Sequence, residues 1–87
     1  MNPSGKYLEN LEYVKGLVTR ALKYFNEDTV RLSVDRKNVI KLGLCGNHGR
    51  CHECGKRVEA EKGLSVVILD REIGGRVTYY FHRHHFS

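Results

Sequence analysis

Residues 45–56 read CGNHGRCHECGK, and this stretch decides how the rest of the chain must fold. Cys51 and Cys54 are separated by two residues, so one tight turn carries two sulfurs that can bind the same metal ion as thiolates. Gly55 follows immediately and supplies the unusual backbone angles that such a turn requires. The stretch therefore predicts half of a metal site.

The end of the sequence supplies the other half. Residues 81–86 read FHRHHF, in which His82 and His85 repeat the two-residue spacing and can share one face of a helical turn. Zinc takes four ligands in a tetrahedron, and two thiolates with two neutral imidazoles leave the site uncharged, which limits its desolvation cost. The 27 residues from 55 to 81 are enough for one hairpin that returns the chain to its start. We predict a Zn²⁺ site formed by Cys51, Cys54, His82 and His85.

Three other ligand sets are compatible with the sequence. Cys45 could replace one histidine, or His84 could replace a neighbour. Cys45, His48, Cys51 and Cys54 could also form the whole site within one loop, although that loop would have to wrap the ion. If Cys45 does not bind the metal, we expect it to be a small buried residue at the end of a strand. If the histidines bind no metal, the histidine-rich tail is simply solvated.

The segments CHECGK and YFHRHHF resemble the treble-clef zinc fingers, especially those of the poly(ADP-ribose) polymerase and DNA ligase type and the LIM module. The resemblance covers residues 51–86. Cys51, Cys54 and His82 match the family ligands, and His85 stands where a cysteine is usual. The resemblance implies a structural zinc ion and a nucleic-acid or protein partner.

The predicted metal site is structural rather than catalytic. A catalytic zinc ion keeps an open position for water and needs a nearby general base. Glu53, Glu59 and Glu61 are nearby carboxylates, but the His-x-Glu and Pro-Cys-x-x-Cys signature of zinc deaminases is absent. We predict that the protein is not an enzyme, with a metal-dependent nuclease as the remaining catalytic hypothesis.

The positive charge of the chain lies with the predicted metal site. Residues 29–87 contain eleven basic and six acidic residues, whereas residues 1–28 contain four of each, so the net charge of +5 belongs to the later part. This distribution favours an anionic partner, namely nucleic acid and DNA more than RNA, although such a charge also serves solubility. The candidate contacts are basic residues near the cysteines or on the second predicted hairpin: Arg50, Lys56, Arg57, Arg71, Arg76 and Arg83.

An amphipathic helix is predicted in the first third of the chain. Apolar residues recur at spacings of three and four from Tyr7 to Phe25, and Asn2-Pro3-Ser4 is typical of a helix start. Gly16 inside this helix suggests a close contact, because glycine otherwise weakens a helix. We expect the apolar stripe to cover a small sheet, with a homodimer through this helix as the second hypothesis.

Two β-hairpins are predicted after the helix. Alternating or β-branched runs occupy residues 30–35, 39–44, 64–69 and 76–81. Three adjacent aromatic residues in the last run, Tyr79, Tyr80 and Phe81, could stack on unpaired bases, but alternation sends at least one of them into the core. The predicted class is α+β, with the helix packed on small antiparallel hairpins and a zinc-binding finger.

The length of 87 residues allows one domain, comprising a helical part at 1–28 and a β-rich zinc-binding part at 29–87. So small a core is marginal without a metal or a partner. Three cysteines cannot all pair, no apolar leader follows Met1, and no segment has 18 apolar residues, so a cytoplasmic protein without membrane contact is expected. Nucleic-acid binding is the leading function, and a protein-interaction adapter that docks through the helix is the alternative.

Overall fold

Four β-strands form one antiparallel sheet in the order β1-β2-β3-β4 in a computed structural model of the chain. The strands are β1 Val30–Ser33, β2 Asn38–Leu44, β3 Gly63–Asp70 and β4 Arg76–His82. Both predicted hairpins are present, and β2 also pairs with β3, which joins them into one sheet. The structure describes residues 6–26, 28–34, 36–45, 49–59, 62–72 and 74–86, with only the backbone of 6 and 7.

The helix α1, Leu11–Leu22, is shorter than the predicted helical segment. It begins where the Asn10 side chain accepts a hydrogen bond from the Tyr13 N–H at 3.1 Å, and a separate 3-10 turn, Lys6–Glu9, precedes it. The start predicted at residues 2–4 lies outside the described residues. None of the described helices is long and apolar enough to cross a membrane.

The core lies between α1 and one face of the sheet. The helix contributes Val14, Leu17, Val18 and Ala21, all buried. Strand residues of alternating position form the other side: Ile40, Leu42, Leu64, Val66, Ile68 and Phe81. The predicted α+β class, with the helix covering a small sheet, is therefore confirmed.

The opposite face of the sheet has no helix packed on it among the described residues. We call it the open face. Its position follows from the strand registers, which place Arg31, Lys41, Val67 and Thr78 in one row across the four strands. The remaining described residues at open-face positions of the strands are Ser33, Val39, Gly43, Gly63, Ser65, Leu69, Arg76, Tyr80 and His82.

Candidate metal centre

Residues 49–58, which we call the knuckle, form a tight reversal of the chain beside β4. The Cys51 N–H donates to the Lys56 carbonyl at 2.9 Å, and the Gly55 N–H donates to the Cys51 carbonyl at 2.8 Å. Gly55 has φ of 76°, the left-handed conformation expected for it. Cys51 forms a parallel bridge with Tyr80, so the knuckle extends the sheet past β4.

The knuckle and the end of β4 bring the four predicted ligands together. Cys51, Cys54, His82 and His85 each offer one ligand atom, and these four atoms lie within 4.8 Å of one another. The Cys54 Sγ and His82 Nδ1 atoms are 3.4 Å apart. Two such ligands of a tetrahedral zinc ion would be about 3.6 Å apart. The cluster is thus close enough to hold a metal ion.

The tautomer of His82 follows from its second nitrogen. His82 Nε2 lies 3.2 Å from the backbone carbonyl oxygen of Arg57. Because a carbonyl oxygen only accepts hydrogen bonds, Nε2 carries the proton, and in the neutral ring Nδ1 then keeps its lone pair. The nitrogen with the lone pair is the one beside Cys54. Metal-binding histidines usually donate their other ring N–H to a carbonyl or a carboxylate, and here the Arg57 carbonyl takes that place.

The two ring nitrogens of His85 lie in different surroundings. Its Nδ1 atom lies 3.8 Å from Glu53 Oε1, an electrostatic contact that is too long for a hydrogen bond. Its Nε2 atom is buried and has no hydrogen-bond partner among the residues described. A buried nitrogen without a partner is costly, and a metal ion in the cluster would satisfy it. The chemistry of this position therefore fits a bound metal ion.

Electrostatics favour the forms of the ligands that bind metal. Burial lowers the pKa of His85 more than the Glu53 carboxylate raises it, which favours the neutral imidazole. Burial raises the pKa of the Cys51 thiol, but backbone hydrogen bonds from Cys54, His82 and Glu53 outweigh it, so the pKa lies below its usual value. Both shifts favour the deprotonated groups that a metal requires.

A carboxylate connects this centre to the helix. Lys15 Nζ lies 2.8 Å from Glu53 Oε1, and this contact is the main reason why the pKa of Glu53 is lowered. The Lys15 Nζ atom also lies 5.5 Å from the centre of the Phe86 ring, which packs edge-on against Phe81. Lys15, Glu53 and the C-terminal 3-10 turn, Arg83–Phe86, therefore form one contact network.

The alternative ligands lie elsewhere. Cys45 is buried in the core just after β2 and is not a member of the cluster. His84 is exposed, with its ring centre 4.4 Å from that of His85, and is also outside the cluster. His48 lies outside the described residues. None of the three cysteines is in a disulfide.

The six predicted nucleic-acid contacts separate into three places. Arg50, Lys56 and Arg57 are exposed on the knuckle. Arg83 is half-buried, with its guanidinium carbon 5.6 Å from the centre of the Phe25 ring. The other two, Arg71 and Arg76, are exposed at the far end of the sheet, beyond β3 and at the start of β4.

Sequence reasoning missed the groups that orient the ligands. Glu53 was considered as a base for catalysis, whereas it contacts both His85 and Lys15. Its position between the two cysteines was the available signal, because a residue inside a ligand turn must lie near the ion. Nothing in the sequence indicates that Lys15 contacts Glu53, since Lys15 is one of several charged residues on the helix.

No protein-family model, curated protein or solved structure matches the chain significantly. The resemblance to zinc fingers therefore rests on the ligand cluster, which is compatible with one. In treble-clef fingers the last ligands lie at the start of a helix. Here His82 ends β4 and His85 lies in the short 3-10 turn. The local resemblance to a treble clef over residues 51–86 stays a prediction.

Proposed function

We propose that this protein is a zinc-binding protein in which the metal fixes the knuckle to the C-terminal turn, and that the fixed knuckle binds nucleic acid. The observation that carries the metal assignment is the buried, unpartnered Nε2 atom of His85 beside two thiols and a second imidazole. Two sulfur and two nitrogen ligands in a tetrahedral cluster are typical of zinc.

The zinc ion is structural in this proposal, and the protein is not an enzyme. Four protein ligands fill a tetrahedral zinc ion and leave no position for water. Glu53, the nearest candidate for a general base, is already bound to Lys15 at 2.8 Å. Both features favour a closed site over that of a metal-dependent nuclease.

Metal content of purified variants tests the zinc site. Cys54→Ala and His85→Ala should each lose stoichiometric zinc, because each removes one of four ligands. Cys45→Ala and His84→Ala are the matched controls and should retain one zinc per chain. Retention in the first pair, or loss in the controls, would exclude the proposed ligand set. Binding of Co²⁺ with the visible spectrum of a tetrahedral thiolate complex would support the geometry.

Nucleic-acid binding is supported by exposed charge on the rigid part of the fold. Arg50, Lys56 and Arg57 are all exposed on the knuckle, and a metal would hold their backbone at fixed spacing, which reduces the ordering cost of binding. The adapter alternative requires the apolar face of α1, yet Val14 and Val18 on that face are fully buried. The exposed charge of the knuckle and the burial of the apolar helix face therefore both favour nucleic acid as the partner over a protein groove.

The dependence of binding on salt concentration tests the proposed nucleic-acid binding. Affinity should fall linearly with log[salt], and Lys56→Ala should weaken binding to all sequences about equally and lower the slope by about one unit. Lys23→Ala, an exposed position after the helix, removes the same charge and should leave the slope unchanged. If the zinc-loaded protein binds neither DNA nor RNA at about 50 mM salt and tens of micromolar protein, nucleic acid is not its partner.

A further inference from the structure

The open face of the sheet carries unbalanced positive charge. Arg31 and Lys41 are exposed cross-strand partners, and like charges directly opposite one another destabilise a sheet. Neither side chain has a hydrogen bond or ion pair with another residue in the described part of the chain. Arg76 lies at the other side of the same face, and no described open-face position of the strands carries a carboxylate. This face is therefore complementary to a polyanion.

A shallow depression lies over β2 and β3 on the open face. Gly43, Ser65 and Tyr80 are partners in one row across β2, β3 and β4, so two small residues stand beside one aromatic ring. The depression has a volume of about 180 Å³. Its lining combines apolar and basic groups, including the exposed Leu44, and consists of Thr29, Lys41, Gly43, Leu44, Ser65 and Val67.

Tyr80 is the aromatic residue available on this face. Of the three adjacent aromatic residues, Phe81 is fully buried and the Tyr79 hydroxyl donates to the Leu8 carbonyl, so both belong to the helix side. Tyr80 is partly exposed, and its ring lies against Gly49, where an added Cβ would come within 2.4 Å of it. The ring is thus held at the boundary between the knuckle and the open face.

We propose that the open face binds single-stranded nucleic acid, with bases against Tyr80 and the depression and phosphates at Lys41 and Arg31. This inference rests on the proposed nucleic-acid function and specifies the class of strand. Aromatic side chains on a sheet stack unpaired bases regardless of sequence, and nearby cations bind the backbone. Since Cys51 is bridged to Tyr80, the basic knuckle continues the same surface.

The dimensions of the sheet favour a single strand over a duplex. Four strands at about 4.8 Å spacing span roughly 14 Å between the outer backbones, before side chains are added. The major groove of B-DNA is about 12 Å wide and admits a helix or a two-stranded ribbon. A four-stranded face does not fit into it, whereas unpaired bases can lie flat on the sheet.

The test uses the full-length, zinc-loaded protein with a fluorescent oligothymidylate of about 15 nucleotides and a duplex of equal length. We expect the single strand to bind at least about tenfold more tightly. Tyr80→Leu should weaken its binding by about five- to a hundredfold, because one stacked base is lost, and Tyr80→Phe should retain it. Lys41→Ala should lower the salt slope by about 0.7, whereas the control Lys23→Ala should not.

The outcomes separate this inference from the proposed function. If Lys56→Ala weakens binding but Lys41→Ala, Arg31→Ala and Tyr80→Leu do not, the knuckle binds nucleic acid and the open face does not. A preference for the duplex also overturns the inference alone, whereas binding to neither probe overturns both. Zinc content and circular dichroism check that Tyr80→Leu folds. If Tyr80→Leu does not fold, the Lys41→Ala and Arg31→Ala variants still show whether the open face binds the strand.

Discussion

At the scale of single residues, Glu53 connects parts of the chain that are far apart in sequence. Its carboxylate contacts Lys15 of the helix and faces His85 of the C-terminal turn. A carboxylate next to the second nitrogen of a metal-binding histidine fixes the ring and raises its basicity. We therefore regard Glu53 as a positioning residue for the metal.

Glu53→Gln should weaken zinc binding by about ten- to a hundredfold, because the shape is kept while the charge facing His85 is lost. Competition with a chromophoric chelator measures this affinity. Glu59→Gln is the matched control, since Glu59 is exposed and forms a longer, exposed ion pair with Lys62 at 3.6 Å. Equal zinc affinity of the two variants would show that Glu53 does not position the ligand.

Two glycines of the knuckle should differ in their tolerance of alanine. Gly49 has φ of 101°, and its added Cβ would lie 2.4 Å from the Tyr80 ring, so Gly49→Ala should destabilise the fold by about 2 to 4 kcal/mol. Gly55 has φ of 76° with nothing within 4 Å of the Cβ, so Gly55→Ala should lose only about 1 to 2 kcal/mol. Urea unfolding in excess zinc measures both, and equal losses would contradict the steric argument.

The ligand cluster could be predicted from the sequence because paired spacings are local. Two residues between Cys51 and Cys54, and again between His82 and His85, limit the geometry that each pair can adopt. The groups behind the ligands could not be predicted. The carbonyl that orients His82 belongs to Arg57. Every residue has a backbone carbonyl, so the amino-acid sequence does not indicate which one has this role.

At the scale of elements, strands were predicted more closely than the helix. The predicted runs 64–69 and 76–81 end within one residue of β3, Gly63–Asp70, and β4, Arg76–His82. The apolar stripe, in contrast, extends beyond α1, because a 3-10 turn before it also repeats every three residues. Phe25 lies beyond the helix yet still packs against the core, so periodicity alone could not locate the helix end.

Gly16→Ala should stabilise the protein by about 1 kcal/mol and raise Tm by roughly 4 to 8 °C. The expected close contact at Gly16 is not found, since its added Cβ would meet nothing within 4 Å. Thermal unfolding followed by circular dichroism measures the change. The control is the exposed Thr19→Ala, whose gain should be smaller because threonine weakens a helix less than glycine does. A decrease in Tm together with a change in oligomeric state would instead indicate that Gly16 belongs to a helix-mediated dimer.

At the scale of the whole molecule, the candidate metal centre adjoins the apolar core, because Cys51 belongs to both. The core between α1 and the sheet contains Val18, Ile40 and Val66, which are all fully buried. The knuckle contributes Cys51 and Val58 to this core, and its other residues are mostly exposed. Apart from these two residues, the knuckle is held by hydrogen bonds and, in the proposed function, by the metal.

Metal removal should accordingly lower Tm and expose one end of the molecule first. After chelation we expect loss of amide protection in residues 49–58 and 82–86, while α1 keeps part of its protection, because structural zinc supplies folding free energy directly. Hydrogen exchange followed by mass spectrometry measures the loss segment by segment, with re-addition of zinc as the control. An unchanged Tm and exchange pattern in metal-free protein would show that metal and folding are uncoupled.

The antiparallel pairing of β3 with β4 also affects how strongly the cluster would bind a metal ion. In a disordered chain, closing the 27-residue loop between Cys54 and His82 costs about 3 kcal/mol of entropy. The hairpin closes this loop by strand pairing, so the two histidines are held at high effective concentration near the two thiolates. The folded chain should thus bind zinc about a hundredfold more tightly than an unstructured peptide with the same four ligands.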